Sequence, residues 1–306
     1  MNTKSKGMLY LAILSLIWGA SFLLIKIAVE SIPPLALATA RMAVGAICLF
    51  LFLKIRGDGM PRIGREWIPF VVLGASYALL PSILISIGEK SMSSGLTSVL
   101  NSTVPIMTVI LAHFLVDEQL TADRAIGIAV GFVGVVIVLL PDLESSAKAS
   151  LMGPIAVILA SLLIALATIY ARKYLKGVSP VITSTGMMAT ATIMGLPLVI
   201  IFDRPLPMRP STESLLALVA LGVFCSAIAY LLYYWLVANR GATHASLVMF
   251  TQPVVAVILA AIVAANPVNL TTIVGMVIIL LSLAIMNGFL DRLFHHPAKT
   301  SSASWS

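Results

Sequence analysis

Charge is what this sequence has least of. Asp, Glu, Lys and Arg make up 10% of its 306 residues, against about 25% in soluble domains. With 60% hydrophobic residues besides, a water-soluble fold would expose apolar surface on every side. Cysteine is nearly absent. Cys48 and Cys225 stand apart inside apolar runs, which excludes a disulfide framework or thiolate metal site and leaves them as small packing residues. No G-x-x-x-x-G-K-[ST] phosphate loop and no H-E-x-x-H pair occurs. The longest polar breaks, near 54–66 and 203–213, are too short to house a catalytic domain. No metal, cofactor or enzymatic activity is therefore expected.

What the chain does have is apolar runs long enough to cross a membrane. A span needs about 20 apolar residues at 1.5 Å rise each. Runs near 8–29, 35–53, 67–88, 96–116, 123–141, 151–171, 178–202, 214–237, 243–264 and 270–290 meet this length. A spanning barrel would instead show ten-residue alternating segments. The expected fold is thus all-α integral membrane, with ten transmembrane helices. Lys4 and Lys6 ahead of an apolar run and "ALATA" at 36–40 imitate a signal peptide, but the apolar run is longer than a signal core. The polar tail, 292–306, reads as disordered.

The basic residues orient the chain. With the N-terminus inside, 13 of the 19 Lys and Arg fall on cytoplasmic segments, against five outside: Lys26, Lys90, Lys148, Arg204 and Arg209. That bias follows the positive-inside rule and predicts a multi-pass inner-membrane protein with both termini cytoplasmic. The net charge of +7 then faces anionic lipid rather than nucleic acid.

One phrase occurs twice. TVPIMTVILA at 103–112 returns as TQPVVAVILA at 251–260. Ser98 pairs with Ser246, Pro105 with Pro253, Gly127 with Gly275, and Leu73-Gly74 with Leu221-Gly222. Nearer the start of each half, Lys26 pairs with Arg172 and Pro34 with Pro180. The expectation is two five-helix repeats, 1–146 and 147–291. Because five is odd, the second copy enters the membrane from the other side. Such inverted-topology repeats are a transporter arrangement, with substrate held near the midplane between the copies.

"LIWGASFLLIKIAV", "AYLLYYWLVANRGATHAS" leading into "ASLVMFTQPVVAVILA", and "GLTSVLNSTVPIMTVILAHFLVDEQLT" resemble the EamA-type branch of the drug/metabolite transporter superfamily, which includes aromatic amino acid exporters. Nearly the whole chain, 7–290, shares the likeness. The resemblance implies a central cavity lined mainly by helices 1–4 and 6–9, peripheral helices 5 and 10, and export of amino acids, other small metabolites or drugs. The acidic residue usual after the proline helix is Glu118. The second half has Asn266-Pro267-Val268 there instead, which argues against symmetric carboxylates.

Polar groups inside spans are costly and mark candidate sites. Asn101, Ser102 and Thr103 precede Pro105, and Thr251 and Gln252 precede Pro253. Each proline deprives a carbonyl four residues earlier of its partner, and broken backbone at depth survives only against protein or a wet cavity. Both helices are thus candidates to present polar atoms to one substrate site; a plain kink satisfied by packing is the alternative. Trp18, Tyr77 and Tyr230 are candidate aromatic walls, although Tyr and Trp near span ends also form interfacial belts. Lys26 and Arg41 are read as outer-mouth charges. Arg41 either snorkels outward, pairs with Glu30 or Glu89, or attracts a substrate carboxylate. No carboxylate is expected mid-span, so proton coupling lacks a visible carrier. Gly127 and Gly131 form a G-x-x-x-G pair that serves internal packing or a homodimer.

The chain therefore reads as a secondary-active exporter of small organic metabolites, amino acids and aromatic ones among them, working by alternating access. Multidrug efflux, or a non-transporting receptor or scaffold, are the alternatives.

Overall fold

A computed structural model describes residues 3–116, 120–144, 151–203, 209–240, 248–263 and 269–286. The expected disordered tail, Glu118, Ser246 and the Asn266-Pro267-Val268 turn lie outside them. The described residues contain helices and no strand. Among the described residues, eight helices are long and apolar enough to cross a membrane, and two shorter apolar helices follow. We label the helical runs α1 (Thr3–Ala28), α2 (Pro34–Arg56), α3 (Arg65–Ser91), α4 (Ser94–Val116), α5 (Ala122–Glu144), α6 (Met152–Tyr174), α7 (Pro180–Asp203), α8 (212–240), α9 (Val248–Val263) and α10 (Leu270–Met286).

Local chemistry explains the helix ends. Pro34 and Pro180 open α2 and α7, where a missing N–H costs nothing and a fixed φ is pre-organised. Ser93 and Ser211 cap α4 and α8 by accepting from the backbone N–H of Leu96 and Ser214, each at 3.2 Å. The outward surface carries Ile47, Leu51, Ile126, Phe132, Ile200, Ile201 and Phe202. Apolar surface of that extent suits lipid.

The helices pack in pairs. α5 lies along α10, α2 along α7, α1 against α9, and α6 against α4. Small residues set the closest approaches. Gly127 on α5 faces Met286 on α10, while Gly275 on α10 faces Val138 on α5. Gly74 on α3 faces Thr190 on α7, while Gly222 on α8 faces Val44 on α2. A side chain at any of the four would collide with that neighbour. The Gly127–Gly131 face is thus occupied by α10 and by Ile106 of α4, so its role here is internal packing.

The two proline helices differ. α4 breaks at Ser102–Thr103, just ahead of Pro105, with helix on both sides, as the proline predicts, whereas α9 runs from Val248 to Val263 through Pro253 without a break, contrary to expectation. α3 runs on to Ser91 rather than stopping near 88, which carries Glu89 into the interior at 0% exposure. A carboxylate is therefore buried within an apolar helical span, contrary to expectation, because the last turn of α3 packs against α6 and α1.

Candidate functional site

α3 and α8 each contain a stretch of wide π-type turns, at Gly74–Leu79 and Leu221–Ile228. These stretches occupy corresponding positions in the two halves. Such turns add a residue per cycle and rotate the side chains beyond them; they recur at functional sites. Here they turn Tyr77, Ala78 and Ser226 toward a central cavity.

The cavity offers about 160 Å³ in which the centre of a water molecule can sit, against roughly 10–15 Å³ for a single water. It has room for a small metabolite. Residues of α1, α2, α3, α4, α6, α7, α8 and α9 line it, and none of α5 or α10 does.

Six of the eight sequence-derived binding candidates come together on this cavity: Trp18, Tyr77, Asn101, Ser102, Tyr230 and Gln252. Pro253 joins them. Thr103, Thr251 and Pro105 are not on its lining. Thr103 is buried, with its hydroxyl donating to the Leu100 carbonyl at 2.7 Å. Thr251 is joined to Ser15 and donates to the Val248 carbonyl at 3.2 Å. Both hydroxyls are engaged close to their own helices, as is usual for Thr in apolar helices.

The charges are placed otherwise than expected. Arg41 lines the cavity instead of reaching the outer mouth. Its Nε donates to Ser226 Oγ at 3.0 Å, and among the described residues it forms no ion pair with Glu30, Glu89 or any other carboxylate. Its helix is wedged between α7 and α8, so the side chain projects inward. Lys26 is not on the cavity. Its ammonium donates to the backbone carbonyls of Glu89 and of Met92, the latter at 2.8 Å, binding the end of α1 to the end of α3.

Aromatic rings form one wall. Trp18 meets Tyr230 edge to face, with centroids 6.0 Å apart at 73°, and Tyr233 at 5.6 Å and 39°. Trp18 Nε1 donates to the Cys225 carbonyl at 3.2 Å, a carbonyl within the wide turns of α8. Asn101 presents a buried Oδ1 with no hydrogen-bond partner. An unpartnered buried acceptor is costly and calls for a donor from whatever enters.

Sequence reasoning missed Ser226, Ser21, Ser82 and the methionines 42, 187, 188 and 249 on the lining. The methionines add an adaptable apolar surface. Ser226 corresponds to Ala78 in the other half, so the repeat offered no signal for it.

A cavity enclosed by apolar spanning helices with a half-buried cation and aromatic walls suits a transporter. Comparison with known proteins decides the family. The model of the EamA-like transporter family matches residues 5–140 and again 151–288. The chain belongs to the EamA-like transporter family. It is a membrane transporter. Relatives in this family include an uncharacterized transporter of Archaeoglobus fulgidus, 26% identical over 92% of this chain and 98% of that protein. The uncharacterized inner membrane transporter YedA of Escherichia coli is 27% identical over 80% of this chain and 79% of its own. Protein PagO of Salmonella typhimurium is 28% identical over 84% of each. A solved crystal structure shares the fold at a TM-score of 0.67 with 17% identity, covering 95% of this chain and 99% of that one.

Proposed function

We propose that this EamA-family protein is a secondary-active exporter of small organic metabolites bearing a carboxylate, amino acids and aromatic ones first among them. The observation that carries this reading is Arg41. Its guanidinium lines the cavity, bonds only a neutral hydroxyl among the hydrogen bonds assigned to it, and has no carboxylate partner among the described residues. A half-buried cation facing a cavity inside a membrane attracts a counter-charge, and guanidinium matches the fork of a carboxylate. The unpartnered Asn101 Oδ1 supplies an acceptor for an ammonium group. Trp18, Tyr77 and Tyr230 supply faces and edges for a ring. A lipophilic cation would meet Arg41 with charge of the same sign, so multidrug efflux fits less well.

The proposed architecture is ten crossings in two inverted five-helix repeats, 1–146 and 147–291, in the inner membrane with both termini cytoplasmic. The double match of the family model supports it. So does the exchange of contacts: Gly127 meets position 286 and its counterpart Gly275 meets position 138. Position 286 is in turn the counterpart of 138. Reciprocal contacts of that kind are the mark of a two-fold relation. A relative named as an inner membrane transporter supports the location. Alternating access about that axis follows the general behaviour of inverted-repeat transporters. A homodimer would have to use a surface other than the glycine face of α5.

Exchange across a membrane tests the function. Proteoliposomes loaded with unlabelled L-tryptophan, L-phenylalanine or L-leucine should take up the labelled solute from outside, and Arg41→Met should abolish this uptake. No exchange of any amino acid, or full exchange in the Arg41 variant, would overturn the reading.

A further inference from the structure

Glu89 is the one fully buried carboxylate among the described residues, and the cavity does not account for it. It lies one helical turn beyond Ile85, a lining residue of α3. The groups around it stand in the same relation to the cavity. Lys26 follows Ile25 on α1, and Ser94 precedes Ser98 by one turn on α4; Ile25 and Ser98 are both lining residues. The carboxylate thus occupies the layer between the cavity and the end of the bundle that carries the α1–α2 and α3–α4 turns.

That end is closed by hydrogen bonds between the two halves. Ser214 Oγ donates to the Ile27 carbonyl at 2.9 Å, the Ser211 N–H to Ser31 Oγ at 3.0 Å, and the Ala36 N–H to Asp203 Oδ2 at 2.9 Å. Within the first half, Lys26 adds its bonds to the Glu89 and Met92 carbonyls.

We propose that Glu89 is a proton-binding site that couples transport to a proton gradient, a proposal that rests on the transporter reading above. One carboxylate oxygen, Oε2, accepts from Ser94 Oγ at 2.9 Å, while Oε1 has no partner. The surroundings support both forms of the group. The ionised form has the Lys26 charge nearby, too far for an ion pair, and the N-terminal turn of α4 with its Ser94 and Thr97 hydroxyls. The protonated form suits the apolar layer, which cannot solvate a charge. α6 contributes Gly153 and Val157 against the neighbouring Gly88 and no charge. α2 contributes Arg41, which is bonded to Ser226. Lys90 and Glu30 are exposed.

When the closed end opens, water reaches Oε1 and delivers a proton from outside. When it closes, the protonated carboxyl is left beside the cavity and releases the proton toward the cytoplasm. The only bond made and broken is O–H, and each cycle moves one proton inward as solute moves out.

Two measurements on the full-length protein test this. In proteoliposomes, amino acid exchange without a gradient reports the carrier, and accumulation driven by an imposed pH gradient reports coupling. Glu89→Gln should retain exchange and lose gradient-driven accumulation, and Glu89→Asp should restore part of it. Accumulation that persists in Glu89→Gln, or that a sodium gradient drives in place of protons, would overturn the proposal. Infrared spectra across a pH titration of the solute-free protein need no substrate. A protonated carboxyl band that titrates in the native protein and vanishes in Glu89→Gln is expected, and its absence in the native protein would refute the site. If no amino acid exchanges, the transport reading fails while the infrared titration still decides Glu89.

Discussion

Ser15 Oγ and Thr251 Oγ1 lie 2.5 Å apart, joining α1 to α9. Thr251 belongs to the repeated phrase, yet its hydroxyl serves a helix contact off the cavity lining. Thr251→Val and Ser15→Ala should each lower the melting temperature, by an amount corresponding to about 1 kcal/mol for one lost hydrogen bond. Solute affinity should stay within about twofold. A large loss of affinity with unchanged melting would return Thr251 to the binding site.

Asn101 and Gln252 differ from the threonines because they line the cavity. Asn101→Ala and Gln252→Ala should each cut transport roughly tenfold, as expected when one hydrogen bond to solute is lost, with normal abundance in the membrane. Quantitative uptake beside an immunoblot checks both. Unchanged uptake in the two variants would remove them from the site.

Arg41→Lys keeps the charge and loses the planar fork. Its affinity for carboxylate solutes should fall between native protein and Arg41→Met. A charge-assisted hydrogen bond contributes about 1.5–3 kcal/mol, so Arg41→Met should weaken binding roughly 10–100-fold. Methyl esters of the same amino acids should not discriminate among the three proteins. Isothermal titration would reveal the series, and equal weakening for ester and acid would count against a carboxylate contact.

Trp18 joins its ring to Tyr230 and its Nε1 to the Cys225 carbonyl. Trp18→Phe keeps a ring and Trp18→Ala does not. The preference for aromatic over aliphatic solutes should survive largely in the first and drop about 2–10-fold in the second, given roughly 0.5–1.5 kcal/mol for an aromatic pair. Competition assays with L-phenylalanine and L-leucine measure the ratio.

Gly127→Leu and Gly275→Leu place side chains where Met286 and Val138 already sit. Overpacking costs about 1–3 kcal/mol, and reciprocal positions should suffer alike. Comparable drops in melting temperature are expected, and an effect at only one site would weaken the two-fold relation. A reporter fused after Ser146 should be periplasmic, and a cytoplasmic signal would reverse the proposed topology.

Much of the fold was legible in the chain because its signals are local. Apolar run length predicted spans, and Pro34, Pro180, Ser93 and Ser211 mark helix starts through backbone chemistry alone. The offset that relates the doubled phrase also pairs Gly127 with Gly275 and Gly74 with Gly222, and each of the four stands at a close helix approach. Cavity-lining residues were legible where polarity interrupts an apolar run, as at Asn101 and Gln252. Ser226 was not, because one hydroxyl in a helix satisfies itself on the preceding turn as readily as it faces a cavity.

By itself the sequence determined that this chain is helical and membrane-embedded, since those properties follow from hydrophobicity and run length along the chain. Tertiary structure alone decided the rotation of each helix. Packing of α2 against α7 and α8 turned Arg41 inward to Ser226. Packing of α3 against α6 buried Glu89, just past the residue where the apolar run ends in the sequence. Whether a polar side chain meets lipid, a neighbour or a cavity depends on which helices surround it, and no single helix carries that information.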